Sequence, residues 1–515
     1  MADETTTAAP ISDERVVADR VAKLARLREL GVEPYAYSYA PTHTAAEALA
    51  LFAAHEAEQP GTEMATPLRI AGRVVSRRVM GKSTFAHLAD RTGKLQLYLR
   101  VNDLGDAYEV LDLVDLGDWL GAEGTLFRTR TGEVSLKVSA FTLLAKALRP
   151  LPLGKEETDA QSGERRVHSG FTDVEARYRQ RYADLAVNPE VRDTFVLRAR
   201  IVSAIRAFLD GRGFIEVETP ILQPVYGGAL ARPFSTHHNA LDMQLYLRIA
   251  DELYLKRLIV GGMERVYEIG KDFRNEGLSR FHNPEFTMLE FYAAYFDYED
   301  VMRFTEELLG HVAGEVLGDA PACFGGHEIR FARPFARYTM YEALRDIGGV
   351  DVPALDDEAL RERVVALGVA PKEAATMGRG KLIDELFGEL VEPTLVQPTF
   401  ITDYPREMSP LAKPKRGDPE LTERFEVFLA GKELGNAYSE LNDPIDQRER
   451  FEAQTRLRLA GDEETQPVDE DFLRAMEYGM PPTGGFGMGI DRLVMILSGQ
   501  PSIRDVILFP AMRPE

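Results

Sequence analysis

The chain has 515 residues, of which 44% are hydrophobic, and its formal net charge is −22 at pH 7. This length allows roughly two to four domains, and the negative charge excludes a general nucleic-acid binder, because phosphate groups repel such a surface. No stretch approaches the roughly 20 apolar residues that cross a membrane. The single cysteine, Cys323, excludes an internal disulfide framework and a cysteine-rich zinc site.

The beginning of the chain carries no recognisable targeting signal. The segment MADETTTAAP contains neither the basic nor the apolar region of a signal peptide, so we expect a cytoplasmic protein. Apolar residues then recur at Val21, Leu24, Leu27 and Leu30, which is the spacing of one helix face. We therefore predict a supporting helical segment over residues 1–64.

Short alternating runs of apolar residues, separated by turn sequences such as DRTGK and RTG, extend from Leu68 to about Arg149. They predict five strands, with a helix-like segment, NDLGDAYEVLDL, between the third and the fourth. This pattern is typical of a small Greek-key barrel of the OB type, which we place at residues 65–149.

The first half of this predicted barrel is basic. Residues 66–100 contain eight lysine and arginine residues and one acidic residue, Asp90, which gives a local net charge of +7. Phe85 and Tyr98 lie in the same stretch, although each alone could equally be a core residue. Because OB-type barrels bind single-stranded nucleic acid through a basic groove and aromatic stacking, we predict that function here.

Residues 150–185, rich in proline, glycine and charge in their first half, predict a linker. A predicted helix from Val191 to about Leu209 follows, and it leads into a strand that ends near Pro220. The apolar stripe of this helix could belong to the core or to a contact with a second subunit. We assign residues 186–515 to a second domain.

Two segments of this domain supply the next candidates. GGALARPF contains Gly228 and predicts a flexible turn, and LDMQLYLRIADELYLKRLIVGG predicts a strand and then a helix with Glu252 near its start. A carboxylate there is favoured by the helix dipole whether or not it binds a ligand. Helical patterns return over Tyr292–Leu317 and in an insertion at about residues 350–395.

The stretch FRNEGLSRFHNPEFTMLEFY begins with a polar loop that contains Arg274, Glu276 and His282. In its second half, four candidate residues occur at every second position, which predicts a strand with their side chains on one face. Those four are Phe286, Met288, Glu290 and Tyr292. Such a loop and face indicate a pocket for an anion at one end and a cation at the other, and the alternative is an edge hairpin with a solvated face.

Two glutamates on neighbouring predicted strands, Glu426 and Glu433, suggest a Mg²⁺ site, because Mg²⁺ takes one or two carboxylates beside phosphate oxygens. Either glutamate could instead be a solvated strand residue. Asn436, Tyr438 and Glu440 alternate a few residues later, so they also share a strand face.

Near the end of the chain, glycines at four of six positions from Gly484 to Gly489 precede the predicted helix IDRLVMIL. Glycine lets the backbone approach a ligand closely. Arg492, in the first turn of that helix, places a guanidinium beside the positive end of the helix dipole, where an anion is favoured. The pattern is neither GxGxxG nor GxxxxGK[ST], so neither a dinucleotide-binding fold nor a Walker loop is indicated.

Together these segments resemble the three signature motifs of class II aminoacyl-tRNA synthetases. GFIEVETP is similar to motif 1, FRNEGLSRFHNPEFTMLEFY to motif 2 and GFGMGIDRLVMIL to motif 3. Their order behind an OB barrel, with DVEARYRQRYADL between, resembles subclass IIb, which contains the lysyl, aspartyl and asparaginyl enzymes. RVMGKSTF, HNPEFTMLEFY, GNAYSELNDP and RDVILFPAMRP resemble the lysyl-tRNA synthetase family within it.

The resemblance implies a multi-domain α+β fold with an N-terminal five-stranded OB-type barrel. The C-terminal class II domain would have a mainly antiparallel sheet flanked by helices. It also implies ATP-dependent ligation of L-lysine to its cognate tRNA through lysyl-adenylate, with release of pyrophosphate and AMP. Mg²⁺ would be the cofactor, ATP a substrate, and a second copy of the chain a partner in a homodimer.

Residue roles follow from the resemblance, position by position. The implied lysine-binding residues are Gly228, Glu252, Glu290, Tyr292, Asn436 and Glu440. The implied ATP-binding residues are Arg274, Glu276, His282, Phe286, Glu433, Gly487, Gly489 and Arg492, with Arg274 and Arg492 also catalytic. Glu426 and Glu433 would bind Mg²⁺. The implied anticodon contacts are Arg77, Phe85, Gln96 and Glu133.

One position bears on the choice of amino acid. The resembling aspartyl enzymes have an arginine seven residues after the metal-binding glutamate, whereas that step from Glu433 leads to Glu440. A carboxylate there rejects aspartate and favours an ammonium. Three alternatives are an aspartyl or asparaginyl enzyme, a lysyl ligase that acts on a protein, and an inactive synthetase-like protein that binds RNA.

Overall fold

The computed structural model describes residues 13–153, 155–158, 165–168, 170–459 and 466–515. The chain divides into two compact units. One extends to Arg177 and includes Tyr182–Asn188, and the other comprises Tyr178–Arg181 and Pro189–Glu515. Residues 1–12 of the predicted N-terminal segment and 159–164 of the predicted linker lie outside the described residues.

The first unit contains two N-terminal helices and a barrel, as the sequence predicts. Its elements are α1 (Asp13–Glu29), α2 (Ala45–Glu58), β1 (Leu68–Met80), β2 (Ser83–Ala89), β3 (Lys94–Arg100), α3 (Val101–Leu104), β4 (Trp119–Arg128) and β5 (Val134–Ala145). The five strands close in the order β1-β2-β3-β5-β4, which confirms the OB-type barrel. The helix-like insertion is only partly α-helical, because a 3₁₀ segment, Gly105–Leu113, follows α3.

Strand β3 shows why the barrel presents a polar and aromatic face. Leu95, Leu97 and Leu99 are at most 1% exposed and fill the barrel core. Since successive strand residues point to opposite faces, Gln96 and Tyr98 lie on the other side. Alternation in the sequence therefore fixes which side chains can meet a ligand.

Two short strands and two helices follow in the segment that the sequence predicted as a linker. They are β6 (Lys155–Thr158), β7 (Arg165–His168), α4 (Val174–Arg179) and α5 (Arg181–Val187). The two strands pair antiparallel. The described part of this segment is therefore more regular than its composition indicates.

The second unit is a large sheet with helices. Its first elements are α6 (Pro189–Asp210), β8 (Ile215–Glu216), β9 (Leu222–Gln223), β10 (Ser235–His238), β11 (Met243–Leu247), α7 (Glu252–Val260), β12 (Arg265–Phe273), β13 (Glu285–Ala294), α8 (Tyr298–Leu317), β14 (Ala322–Phe324) and β15 (His327–Ile329). The next are β16 (Ala336–Thr339), α9 (Met340–Asp346), α10 (Asp357–Ala366), α11 (Pro371–Ala374), α12 (Arg379–Leu390), β17 (Thr399–Pro405), β18 (Pro414–Lys415), β19 (Asp418–Leu429) and β20 (Lys432–Ser439). The last are α13 (Pro444–Leu459), α14 (Glu470–Glu477), β21 (Thr483–Gly489), α15 (Ile490–Ser498) and α16 (Ile503–Val506).

The main sheet has the strand order β16-β17-β19-β20-β21-β13-β12-β8, with β18 beside β19. All neighbours run antiparallel except β16 with β17 and β8 with β12. This arrangement confirms the predicted mainly antiparallel sheet. It also places β21, the last strand among the described residues, between β20 and β13.

Strand β13 separates the core of this unit from the open face of the sheet. Leu289, Phe291 and Ala293 are fully buried in the core cluster that includes residues of α6 and α8. The alternating residues, from Phe286 to Tyr292, therefore point to the opposite face. This confirms the predicted strand and the shared face of its four side chains.

Two element boundaries differ from the sequence-based expectation. The helix expected from Tyr292 begins at Tyr298, because β13 continues to Ala294 and Asp297 caps α8 by accepting hydrogen bonds from the N–H groups of Glu299 and Asp300. The strand expected before Pro220 is only two residues long.

None of the helices within the described residues is long and apolar enough to cross a membrane.

Candidate active site

A cavity of about 400 Å³ lies over the open face of β13, β20 and β21. Every residue that the sequence assigned to lysine, ATP or the metal lines it. These residues are Gly228, Glu252, Arg274, Glu276, His282, Phe286, Glu290, Tyr292, Glu426, Glu433, Asn436, Glu440, Gly487, Gly489 and Arg492. The fold thus brings together residues that are far apart in the sequence, from Gly228 to Arg492.

Three carboxylates in this lining are deeply buried. Glu252, the first residue of α7, is 4% exposed, Glu290 on β13 is 4% exposed, and Glu440 directly after β20 is 1% exposed. Burial raises the pKa of each, that of Glu440 to about 8, because a buried charge loses its hydration. A cationic ligand would replace that hydration, so the cluster favours an ammonium group.

Glu290 is held by two donors. Tyr292 Oη donates a hydrogen bond to Glu290 Oε2 at 3.1 Å, and the N–H of Asp251 donates to Glu290 Oε1 at 3.2 Å. Burial raises the pKa of Tyr292, so its phenol stays neutral. The carboxylate and the phenol therefore form a fixed pair of oxygens on one strand face.

Gly228 lies in the turn between β9 and β10 with φ +87°, a conformation that glycine adopts readily. A Cβ atom there would lie 3.0 Å from Glu252 Cβ and 3.1 Å from Ala250 Cβ. Its N–H donates to Gln466 Oε1 at 2.9 Å. Only glycine lets this turn pack directly against the start of α7.

Behind Glu290, one arginine joins several acidic groups. Arg248 is 1% exposed and lies 2.6 Å from Glu268 Oε1, 2.7 Å from Asp251 Oδ1 and 3.2 Å from Asp272 Oδ1. Burial raises the pKa of Asp272 to about 7, although Arg248 opposes the rise. The cluster leaves excess negative charge next to Glu290, which adds to the attraction for a cation in the cavity.

Lys256 is a residue that the sequence analysis missed. Its fully buried Nζ forms ion pairs with both Glu252 and Glu440. The spacing of four residues between Glu252 and Lys256 on a predicted helix could have indicated the first pair. Neither its burial nor the second pair has a local signal in the sequence.

Arg274 lies at the end of the predicted pocket that would bind an anion. Its guanidinium lies 5.1 Å from the centre of the Phe286 ring, and its Nε is buried without a hydrogen-bond partner among the described residues. Glu276 is exposed in the loop after β12. Because a buried guanidinium donor needs an acceptor, this position favours a carboxylate or phosphate oxygen.

Gly487 and Gly489 on β21 line the same cavity as Phe286. A Cβ atom at position 487 would meet no atom closer than 3.4 Å, and one at position 489 would meet only Arg492 Cβ, at 3.9 Å. Packing within the protein therefore does not require glycine at either position. The open strip and the adjacent ring suit a planar base.

His282 and Arg492 lie near each other at the same end. Burial lowers the pKa of His282, and the positive charge of Arg492 lowers it further, so the imidazole is neutral at pH 7. His282 Nδ1 and Ser279 Oγ are hydrogen-bonded at 2.8 Å. Arg492 Nη1 donates to the backbone oxygen of Glu433 and lies 3.8 Å from its carboxylate.

The motif 3 helix is anchored by a buried acid. Asp491 Oδ1 accepts from Arg198 of α6 at 2.5 Å, and Asp491 Oδ2 accepts from the N–H of Thr287 at 2.7 Å. One carboxylate thus joins α6, β13 and α15. This fixes Arg492, the next residue, relative to Phe286.

The two predicted Mg²⁺ ligands differ in burial. The side chain of Glu426 is 15% exposed and that of Glu433 is 44% exposed. Burial raises the pKa of Glu426 to about 7; Arg424 opposes the rise and Glu433 adds to it. Two mutually repelling carboxylates that line the same cavity fit Mg²⁺, which takes one or two carboxylates with phosphate oxygens.

Arg424 is a second residue that the sequence analysis missed. Its guanidinium donates to Glu426 Oε1 at 2.6 Å and to Asn436 Oδ1 at 3.1 Å. Asn436 Nδ2 in turn donates to Tyr438 Oη at 2.7 Å. Arg424 thereby fixes the orientation of the Asn436 amide, whose nitrogen keeps a second hydrogen for a ligand.

In the first unit, three half-buried aromatic rings form a row on the barrel. Phe85 and Tyr98 are cross-strand neighbours that stack with centroids 4.8 Å apart, and Tyr98 contacts Phe127 at 5.6 Å. Arg100 lies 5.6 Å from the Tyr98 ring centre. Aromatic faces beside basic residues match the predicted nucleic-acid surface.

The other predicted anticodon residues belong to a polar network. Glu133 accepts from Gln96 Nε2 at 2.6 Å and is hydrogen-bonded to His87 Nε2 at 2.7 Å. The sequence analysis did not single out His87. Arg77 instead donates to the backbone of Val114 at 3.0 Å and to Asp112 at 3.1 Å.

Comparisons with known proteins match both units. A family model described as tRNA synthetases class II (D, K and N) matches residues 173–513, and one described as OB-fold nucleic acid binding domain matches residues 68–144. A lysine–tRNA ligase of Carboxydothermus hydrogenoformans is 54% identical over 497 residues, which is 96% of this chain and 97% of the relative. One from Moorella thermoacetica is 53% identical over 506 residues, covering 98% and 99%.

The cavity, the sheet and these matches define the chain as a class II aminoacyl-tRNA synthetase of the subclass that includes the aspartyl, lysyl and asparaginyl enzymes. Within that subclass the matched relatives are lysine–tRNA ligases that align with nearly the whole chain. The chain belongs to the lysine–tRNA ligase family.

Proposed function

We propose that the chain joins L-lysine to its cognate tRNA in two steps, with ATP as the second substrate and lysyl-adenylate as the intermediate. The observation that carries this proposal is the convergence of Glu252, Glu290 and Glu440 with Arg274 in one cavity. Lysine has two ammonium groups and one carboxylate. The buried acids match the two ammonium groups in sign, and the Arg274 guanidinium, whose Nε is buried, matches the carboxylate.

The amino acid would be held at both ends. Glu252, Glu290 and the Gly228 backbone would surround the α-amino group, and Glu440 with Tyr292 would contact the ε-ammonium. Arg274 and Asn436 would orient the carboxylate. Burying a cation is costly unless it is paired, so a neutral pocket of the same shape would reject lysine.

In the first step, an oxygen of the lysine carboxylate attacks the α-phosphorus of ATP, and the bond to the bridging oxygen breaks as pyrophosphate leaves. Arg274 would contact both the carboxylate and the α-phosphate, Phe286 would stack on adenine, and Gly487 and Gly489 would border the base. Arg492, His282 and Glu276 would complete the nucleotide site. Catalysis of this kind depends on positioning and charge stabilisation rather than on a covalent enzyme intermediate.

Glu426 and Glu433 would hold Mg²⁺ together with phosphate oxygens of ATP. When bound, the ion would supply positive charge that neutralises the triphosphate. Arg424 would keep Glu426 in place for this role, because it donates to Glu426 Oε1 at 2.6 Å.

In the second step, a hydroxyl of the terminal tRNA ribose attacks the lysyl carbonyl carbon, and AMP leaves. The barrel would bind the anticodon, with Phe85 stacking on a base and Gln96, Glu133 and Arg77 making polar contacts. We place this reaction in the cytoplasm, where tRNA is charged for protein synthesis. The barrel distinguishes this proposal from a ligase that acts on a protein.

The test is ATP–pyrophosphate exchange by the full-length chain with each standard amino acid in turn, followed by charging of tRNA. We expect lysine to support exchange and to be transferred to tRNA. Exchange that depends on aspartate or asparagine but not on lysine would contradict the proposal. If none of the amino acids supported exchange, the chain would be an inactive RNA-binding relative.

A further inference from the structure

Lys256 lies on α7 one turn after Glu252, and its side chain has no exposed surface. Nζ is ion-paired with Glu252 Oε1 and lies 2.5 Å from Glu440 Oε2. Both carboxylates line the cavity, whereas Lys256 is not part of the lining. The ammonium group therefore lies behind the wall that faces the ligand.

The charge of this ammonium has a consequence for the pocket. Glu252, Glu290 and Glu440 would bring three negative charges, while lysine brings two ammonium groups to this part of the cavity. Lys256 compensates the third negative charge. The three glutamates of the pocket are then matched by three cations, Lys256 and the two ammonium groups of lysine.

We propose that Lys256 is a positioning residue that sets the charge of the lysine pocket. It favours the ionised forms of Glu252 and Glu440, and it holds Glu440 Oε2 so that Oε1, next to Gly485, is free for the ε-ammonium of the substrate. The inference rests on the proposed function, because it requires lysine as the ligand of this cavity.

The electrostatic surroundings support this role. Burial would lower the pKa of Lys256, but the two carboxylates outweigh it and raise the pKa, so the side chain is an ammonium at neutral pH. Burial raises the pKa of Glu440 to about 8; Lys256 opposes that rise and Glu252 adds to it. Loss of the ammonium would therefore raise the pKa of Glu440 further.

The other ionisable groups around Glu440 do not replace Lys256. Burial raises the pKa of Tyr292 and of Tyr438, so both stay neutral phenols. Glu290 is hydrogen-bonded to Tyr292, and Arg424 lies 5.7 Å from the Tyr438 ring centre and pairs with Glu426. Among the described groups that adjoin Glu440, Lys256 is the one cation in direct contact with it.

The experiment measures the KM for lysine in ATP–pyrophosphate exchange between about pH 6.5 and pH 9.5, for the full-length wild type and for Lys256→Met. In the wild type, the KM for lysine should fall as the pH rises and level off near 8, where Glu440 ionises. In Lys256→Met the inflexion should move by about one pH unit or more to alkaline pH. The KM for lysine near pH 7.5 should then rise about tenfold, because one pKa unit is a tenfold change, with the KM for ATP nearly unchanged.

Two further variants make the result specific. Lys256→Gln keeps an amide that can donate a hydrogen bond to Glu440 but removes the charge, and it should show the same alkaline shift. It also carries the test if Lys256→Met does not fold. The matched control is Lys415→Met, which removes a 2.5 Å ion pair to Asp403 away from the cavity and should leave the inflexion in place.

The outcomes separate this inference from the proposed function. A wild type without lysine-dependent exchange would overturn both. Exchange by the wild type together with an unmoved inflexion in Lys256→Met or Lys256→Gln would overturn the role of Lys256 alone. A KM increase that is equal at every pH, or equal for lysine and ATP, would show that Lys256 only supports the fold.

Discussion

Glu440 Oε1 lies 2.1 Å from the point where any side chain at position 485 would place its Cβ atom, so only Gly485 leaves room for the carboxylate. Tyr292 Cε1 lies 2.4 Å from the same point. In the proposed lysine site, β21 would therefore contribute through the space that Gly485 leaves open. Gly485, which the sequence analysis did not assign to any ligand, is part of the proposed lysine site.

Replacing Gly485 with alanine should displace Glu440 and Tyr292. We expect Gly485→Ala to raise the KM for lysine about tenfold or more in ATP–pyrophosphate exchange, with a much smaller effect on ATP, because overpacking forces the neighbours aside. Gly388→Ala is the control, since a Cβ atom there meets nothing within 4 Å. A KM for lysine equal to that of the wild type would show that Glu440 does not read the substrate.

Removing the charge of Glu440 should act on lysine rather than on ATP. Truncating one member of a buried charge pair costs about 2–5 kcal/mol of binding free energy. Glu440→Gln should therefore weaken the binding of lysine about 30-fold or more. Lys256 would keep its pair with Glu252. Steady-state exchange with lysine and ATP varied separately checks this, and an equal loss for both substrates refutes the assignment of Glu440 to the ε-ammonium.

Lysine binding should depend on pH in a defined direction. The pKa of Glu440 is about 8 without ligand, and an ammonium beside it would lower that pKa. Below pH 8 binding therefore releases a proton, and affinity should rise with pH until it levels off above 8. Calorimetry in buffers of different ionisation enthalpy measures the proton, and binding without proton release near pH 7 would contradict this prediction.

The unliganded enzyme should show the opposite trend in stability. The folded-state pKa of Glu440 is raised from 4.5 to about 8, so its contribution to stability is present at low pH and is lost as the pH rises through 8. Lysine should offset that loss. Thermal unfolding with and without lysine should therefore show a larger stabilisation at pH 9 than at pH 6, and a constant difference would exclude Glu440 as the titrating group.

The barrel surface should affect only the tRNA-dependent step. A stacked base contributes about 1–3 kcal/mol, so Phe85→Ala should lower kcat/KM for tRNA charging about 10- to 100-fold and leave lysine-dependent exchange intact. Tyr37→Ala is the control, because Tyr37 is 99% exposed but lies outside the aromatic row. An equal fall in exchange would remove the assigned role of Phe85.

We propose that the chain forms a homodimer through the motif 1 region. Ile215 in motif 1, Ile221 and Leu222 directly after it, and Val196 on α6 are 43–59% exposed, and exposed large apolar side chains favour an interface. Light scattering at micromolar concentration should give twice the 57.5 kDa of the chain. Ile215→Asp should shift the equilibrium towards monomer, and a monomeric wild type would contradict the proposal.

The sequence predicts the lining of the cavity where a local pattern carries the information. The period of two around Glu290 identifies the strand and its side that faces the cavity, and the glycine-rich segment before Arg492 also belongs to the lining. Helix ends were harder to predict. The strand residues after Tyr292 resemble the helix that follows, and the capping by Asp297 is what places the boundary.

Other parts of the site could not be predicted, because they depend on pairing between distant segments. Lys256 has an acidic neighbour at helical spacing, but its contact with Glu440 exists only after the sheet has brought α7 and β20 together. Arg424 and Gly485 are similar cases, since their roles depend on neighbouring strands. The pattern within one segment does not show which residues of another strand will lie beside it.

Strand β21 has a consequence for biosynthesis. Glu290 and Glu440 belong to β13 and to the end of β20, and the strand order joins those two strands through Thr483–Gly489 alone. A nascent chain that has not reached Thr483 contains the acids of the pocket but not the strand that sets their separation. The proposed lysine pocket can therefore form only after β21 has been synthesised and has paired with both neighbours.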